Sequence, residues 1–251
     1  MIHRRLLLGG AISLAAAPAL ARQSGVGDAS VAATGRFKAR PDEPTKSPLA
    51  AGQGVLGLDA RDAHYFVPQG VDPATPAPLL VMLHGKTQLA NETLGEWRRA
   101  AARNRFIVMA PQSRGITWEV DNGPVGPDAV FIDQALAAMF DRFRIDPKKI
   151  AVAGFSDGGT MALSSGLVNG DFFSHILAFA PIRYHAPGAV GTPKIFIANG
   201  QEDPGASYAA ARGMARQLEG DGYDVEFYGF KGGHFMDPDA IKRATRRFMA
   251  G

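Results

Sequence analysis

The residues best placed to do chemistry lie in one short run, Gly154-Phe155-Ser156-Asp157-Gly158, which follows Ile150-Ala-Val-Ala and precedes a helical pattern. A serine hydroxyl is a weak nucleophile until a base removes its proton and the backbone presents it to a substrate. A sharp turn between a buried strand and a helix does the presenting. The amides of the helix's first turn then stabilise negative charge as it develops. The five-residue pattern alone occurs by chance, and a glycine-rich turn with a capping serine would look the same. The flanking strand and helix separate the two readings.

A base must follow. Of the six histidines, His3 lies in the N-terminal leader, His64 and His175 stand in strand candidates, and His185 sits in a loop. His84 ends the run LLVMLHG, where a hydrogen-bonding role in the loop is expected of it. His234, in Phe230-Lys-Gly-Gly-His234-Phe235, follows the last strand candidate and precedes the last helix. That is where the base belongs in the chain order serine, acid, histidine. The acid must hold the imidazole in the right tautomer. Asp203, directly after the apolar run Ile195–Ala198, is the favoured residue and Glu202 its main competitor. Asp221 and Asp224 read as turn residues, and Asp237 and Asp239 as cap residues of the final helix. An acyl-transfer oxyanion needs two preorganised donors. The backbone N–H groups of Lys86, after His84-Gly85, and Asp157, after the serine, are the candidates. The Asp157 side chain is expected to point away, capping the helix or pairing with a base. Trp118, in Gln112-Ser-Arg-Gly-Ile-Thr-Trp118, is the candidate substrate contact, with a packed loop as the alternative.

These residues need a scaffold that gathers strand ends. Strand candidates are 64–67, 79–83, 106–110, 150–153, 175–180, 194–198 and 225–230. Helix candidates are 93–104, 129–143, 158–168, 207–219 and 238–249, with Asp128 as the cap of the second and Gly170 as the stop of the third. Runs apolar at consecutive positions, such as LLVML and IAVAG, suit strands buried on both faces of a parallel sheet. The alternation predicts an α/β fold of the α/β-hydrolase kind: one mostly parallel central sheet flanked by helices on both faces. Residues 55–251 form its catalytic domain. Residues 22–54, rich in Gly, Ala and Pro, read as a flexible leader.

Residues 1–21, MIHRRLLLGGAISLAAAPALA, read as an export signal. A basic start precedes a short apolar run, and Ala19-Leu20-Ala21 offers small residues for cleavage. Arg4-Arg5 also resembles a twin-arginine signal, so either export route to the periplasm or medium fits. The formal net charge is +3, and Arg4 and Arg5 account for most of it, so nothing predicts nucleic acid as a partner. The chain has no cysteine, which excludes disulfides and thiolate chemistry. No metal-ligand or phosphate-loop spacing occurs, and no cofactor is expected. The basic residues of the last helix, Lys242, Arg243, Arg246 and Arg247, read as a solvated face.

From about Pro78 onward, the ordered motifs LLVMLHG, APQSRGITWE, FIDQAL, IDPKKIAVAGFSDGGTMAL, GQEDP and GGHF resemble the phospholipase/carboxylesterase branch of the α/β-hydrolases. The resemblance implies a serine esterase with a triad at Ser156, Asp203 and His234 and an oxyanion hole at Lys86 and Asp157. Its substrate would be a small ester. Asp157 stands where many thioesterase relatives have Gln, and Asn199-Gly200 where they often have His-Gly. Lysophospholipase, feruloyl- or polyester-cleaving and peptidase activities remain open, as does a binding protein on the same fold.

Overall fold

The apolar runs become neighbouring strands. The computed structural model describes residues 28–250. Its elements are α1 (Ala29–Thr34), β1 (Gly52–Val55), β2 (Ala63–Val67), β3 (Ala77–Leu83), α2 (Ala90–Asn104), β4 (Ile107–Pro111), α3 (Gly126–Phe140), β5 (Ile145–Phe155), α4 (Asp157–Val168), β6 (His175–Phe179), β7 (Lys194–Gly200), α5 (Tyr208–Gly220), β8 (Val225–Phe230) and α6 (Pro238–Ala250). The strands form one sheet in the order β1-β2-β4-β3-β5-β6-β7-β8. β1 and β2 run antiparallel to their neighbours, and the other strands are parallel. This is the α/β-hydrolase architecture that the strand pattern predicts.

Burial on both faces explains the consecutive apolar positions. Leu79, Val81 and Leu83 of β3 pack into the core beneath α3 and α4, with Phe131, Leu136 and Met161. Leu80 and Met82 point the other way, toward Leu94 and Trp97 of α2 and Phe248 of α6. Each such side chain, once fully buried, stabilises the fold by about 1.5–3 kcal/mol. The β3 and β5 strands therefore cannot slip by one residue without exchanging two cores.

Three expectations need correction. From Asp28 onward the leader packs against the domain: Val31 and Phe37 are buried in the core. Its backbone is tied down by side chains of the domain. Asn169 Oδ1 accepts the Phe37 N–H at 2.8 Å, and Asp133 Oδ1 accepts those of Lys38 and Ala39 at 2.8 and 2.9 Å. Arg36 pairs with Asp171 at 2.7 Å. These partners are far away in sequence, and the segment's own pattern gives no sign of them. The export signal and residues 22–27 lie outside the described residues. Second, Asp128 does not cap α3, which starts two residues earlier at Gly126. Its buried carboxylate accepts the N–H groups of Arg114 at 2.6 Å and Glu119 at 2.9 Å. Third, β1 and α1 are additional elements, too short and too poor in periodicity to be read from sequence.

Candidate active site

The parallel strands deliver their carboxyl ends to one edge, and three loops there converge. At the tip of β5, Ser156 adopts φ 56° and ψ −119°, a strained backbone state that costs on the order of 1–3 kcal/mol. The surrounding turn enforces it. A Cβ at Gly154 would collide with the Gly158 carbonyl, and one at Gly158 with the Leu83 carbonyl, so only glycines let strand and helix pass so close. The Ser156 N–H is held by Phe179 O at 2.8 Å. Asp157 begins α4, where a helical N–H has no partner in the preceding turn.

His234 Nε2 lies 2.9 Å from Ser156 Oγ. Its Nδ1 faces Asp203 at 2.9 and 2.8 Å from the two carboxylate oxygens. The Asp203 side chain is fully buried, and its Oδ1 also accepts the Gly205 and Ala206 N–H groups at 2.7 and 2.8 Å. The carboxylate is thus oriented by backbone, and it in turn orients the imidazole. Glu202 is exposed, and only its backbone takes part, donating to Gly232 O at 2.9 Å. The acid and histidine loops touch backbone to backbone here: a Cβ at Gly200 would strike the Gly232 and Gly233 carbonyls. Buried Asn199 donates to the carbonyls of Gly200 and Ala206, at 3.1 and 3.0 Å, closing the acid loop on itself. Asp237 caps α6 through the N–H groups of Asp239 and Ala240, and Asp224 pairs with Arg247.

The loop after β3 is braced from beneath. Buried His84 faces Gly85 O through Nδ1 at 2.7 Å, and its Nε2 accepts the Ser113 N–H at 3.0 Å. A ring nitrogen that accepts a backbone N–H carries no proton, so this imidazole is neutral, and burial lowers its pKa in the same sense. It positions the loop and does not serve as a second base. Gln88 Oε1 takes the Gly85 N–H at 2.8 Å. The Lys86 N–H has no hydrogen-bond partner among the described residues.

Trp118 is not on the substrate side. It is 3% exposed, its indole N–H donates to His84 O at 2.8 Å, and its ring lies 4.8 Å from that of His84. The Asp157 carboxylate neither caps α4 nor meets a base; it accepts the Thr117 hydroxyl at 2.6 Å. The segment 112–119 is therefore a brace tied to the two loops that carry the candidate oxyanion amides. Gln112, unremarked in the sequence, is its hub. Its Oε1 accepts the Ala90 N–H at the start of α2 at 2.8 Å, and its Nε2 lies 2.9 Å from His84 Nε2. The only hint of this role is Gln112's place in the motif APQSRG.

The loops at this edge carry exposed apolar residues. Ile116 and Phe235 are 69% and 46% exposed, and Ile182 is 38% exposed. Ile116 O accepts the Thr87 N–H at 2.9 Å, beside Lys86. The Ile182 N–H donates to Thr160, one turn into α4, at 3.1 Å, and Phe235 follows His234. A hydroxyl, an imidazole and a buried carboxylate in series, beside unpaired amides, can perform nucleophilic acyl transfer.

Comparison with known proteins agrees with this chemistry. A family model described as a putative esterase matches residues 60–220. The chain belongs to that esterase family. It is 29% identical over 168 residues to the bifunctional acetylxylan esterase/xylanase XynS20E of Neocallimastix patriciarum; the match covers 62% of this chain and only 23% of that longer protein. Feruloyl esterase C of Emericella nidulans is 25% identical over 215 residues, covering 72% of this chain and 78% of that one. Among solved structures, the Staphylococcus aureus fluorophosphonate-binding serine hydrolase FphF has a TM-score of 0.63 at 16% identity, covering 81% of this chain and 99% of that chain. The ferulic acid esterase of Anaeromyces mucronatus has a TM-score of 0.60 at 16% identity, covering 82% and 92%. These structures share the α/β-hydrolase fold.

Proposed function

We propose that the protein is an exported serine esterase that hydrolyses carboxylic esters through an acyl-enzyme on Ser156. The observation that carries this reading is the line from Ser156 Oγ through the His234 ring to the buried Asp203 carboxylate, each contact near 2.9 Å. In the first half-reaction His234 Nε2 accepts the Ser156 proton while Oγ attacks the ester carbonyl. The N–H groups of Lys86 and Asp157 hold the oxyanion, and Asp203 stabilises the imidazolium. The imidazolium then protonates the departing alcohol. Water enters, gives a proton to His234 and attacks the acyl carbon, and collapse of the second tetrahedral intermediate frees the acid and returns the proton to Ser156. No cofactor or metal takes part in this scheme.

Exposed Ile116, Ile182 and Phe235 on the loops beside the serine suit a short aliphatic or aromatic acyl group. The names of two relatives, an acetylxylan esterase and a feruloyl esterase, support the same range. A panel of p-nitrophenyl acetate, butyrate and decanoate, methyl ferulate, a lysophospholipid and a peptide amide tests it. Turnover should be fastest on acetate or ferulate, and a preference for the lysophospholipid or the amide would overturn the assignment. No fluorophosphonate capture together with no turnover would favour a binding protein instead. Export rests on residues 1–21, and no described helix is long and apolar enough to cross a membrane. N-terminal sequencing of protein from periplasm and medium should find a start at Arg22; a start at Met1 would refute cleavage.

A further inference from the structure

The basic residues of α6 have a counterpart that the linear sequence conceals. α2 and α6 pack side by side on one face of the sheet, and between them runs an open groove of about 800 Å³. One wall carries Arg99 and Arg103, one turn apart on α2; the other carries Lys242, Arg243 and Arg246 of α6. All five side chains are exposed. Glu96 and Asp239 are the acids of the lining. Lys242 is neutralised by Asp239 at 2.7 Å, and Arg243 leans on Glu226 at 3.9 Å. Arg99, Arg103 and Arg246 have no ion-pair partner among the described residues. Unpaired guanidinium groups on facing walls repel one another, and an anion between them relieves that repulsion.

The groove's direction matters. α2 and α6 both begin at the carboxyl edge of the sheet, where the loops bearing Lys86 and His234 lie, and both run toward the opposite edge. The groove's two acids stand nearer that active-site end of their helices, and the unpaired arginines lie further down. The shape and charge suit an extended chain with anionic groups at intervals. A lipid surface fits poorly, because none of the large exposed hydrophobic side chains (Val55, Leu58, Leu89, Ile116, Ile182, Phe235) lines the groove. Single-stranded nucleic acid also fits poorly. Binding it needs aromatic platforms for the bases, and the one aromatic of the lining, Tyr228, is covered by Arg243 at 4.6 Å.

We propose that the α2–α6 groove is a binding site for an acidic polysaccharide, separate from Ser156 and the residues around it. Its carboxylate groups would pair with Arg99, Arg103 and Arg246. The site requires no ester chemistry, so its test stands apart from that of the proposed reaction.

The test measures binding of fluorescently labelled polygalacturonate by anisotropy, using the whole protein. The parent should bind, weaken steeply with added salt, and ignore neutral xylan. R103E/R246E, which reverses one charge on each wall, should bind about tenfold more weakly or worse. R212E/R216E makes the same change in net charge at exposed positions on α5, away from the groove, and should bind within about twofold of the parent. R103Q/R246Q covers the case in which the reversed pair folds poorly, and should give an intermediate loss. Turnover of p-nitrophenyl acetate should stay within about twofold in all three. An equal loss in the groove and control variants would overturn the site, as would no binding by the parent. Tighter binding of a single-stranded oligonucleotide or of phosphatidylserine vesicles than of polygalacturonate would overturn the ligand class.

Discussion

Replacing Trp118 by Phe separates two roles for this side chain. If the indole lined the substrate, its truncation would raise KM and spare kcat. The structure predicts the opposite. The Trp118 N–H is a hydrogen-bond partner of the buried His84 carbonyl, at 2.8 Å. Phenylalanine keeps much of the packing against the His84 ring but leaves that carbonyl unpaired, which costs about 1–3 kcal/mol of stability. The freed carbonyl precedes Gly85-Lys86, so the peptide that aims the Lys86 N–H loses a restraint. Complete loss of an oxyanion donor costs about 2.7–4 kcal/mol in the transition state. Partial loosening should cost roughly half as much, about 1.4–2 kcal/mol, or about 10- to 30-fold in kcat. KM should move less than about twofold, because a donor aimed at the oxyanion acts mainly in the transition state. Steady-state kinetics on p-nitrophenyl acetate, alongside urea unfolding, measure both effects. A raised KM with unchanged kcat would instead place Trp118 on the substrate wall.

Asp203→Asn should keep the fold, because its Oδ1 can still accept the Gly205 and Ala206 amides. It should nevertheless lower kcat by on the order of 10⁴, since an amide N–H facing His234 Nδ1 selects the wrong tautomer. A loss below about tenfold would shift the acid's role to Glu202. Asp128→Ala strands two N–H groups and should lower the unfolding free energy by about 2–4 kcal/mol in urea titrations. A loss under about 1 kcal/mol would mean that the 112–119 brace does not depend on it. His175 is buried and lies against Phe248, and burial pulls its pKa down to about 4 from 6.5. The folded state therefore resists a proton that the unfolded chain takes up below pH 6.5. Stability is complete above pH 6.5 and falls as the pH drops toward 4, by about 3 kcal/mol from this group. His175→Phe should flatten that part of the pH–stability curve, and an unaltered slope would contradict the assignment.

What could be read from the sequence follows from how local each signal is. That Ser156, Asp203 and His234 meet was legible because each follows an apolar strand in a fixed chain order, and the strand ends converge wherever a parallel sheet forms. The strands themselves were legible because burial on two faces leaves consecutive apolar residues. The partners of Trp118, Asp128 and Asp157, namely His84 O, the Arg114 and Glu119 amides and the Thr117 hydroxyl, were not legible because they are set by a loop path that no periodicity encodes. The leader was misread for the same reason: Asn169 and Asp133 order it from more than 90 positions away. The groove charges show the limit most clearly, since Arg99 and Arg103 meet Arg246 only after α2 and α6 have packed.

The proposed reaction requires Ser156 to carry the acyl group. Mixing the enzyme with excess p-nitrophenyl acetate, quenching in acid within the first turnovers and mapping peptides by mass spectrometry tests it directly. The parent should carry a single acetyl adduct on Ser156, with no adduct and no turnover in a folded Ser156→Ala variant. Acetylation at another residue, or undiminished hydrolysis by Ser156→Ala, would contradict it.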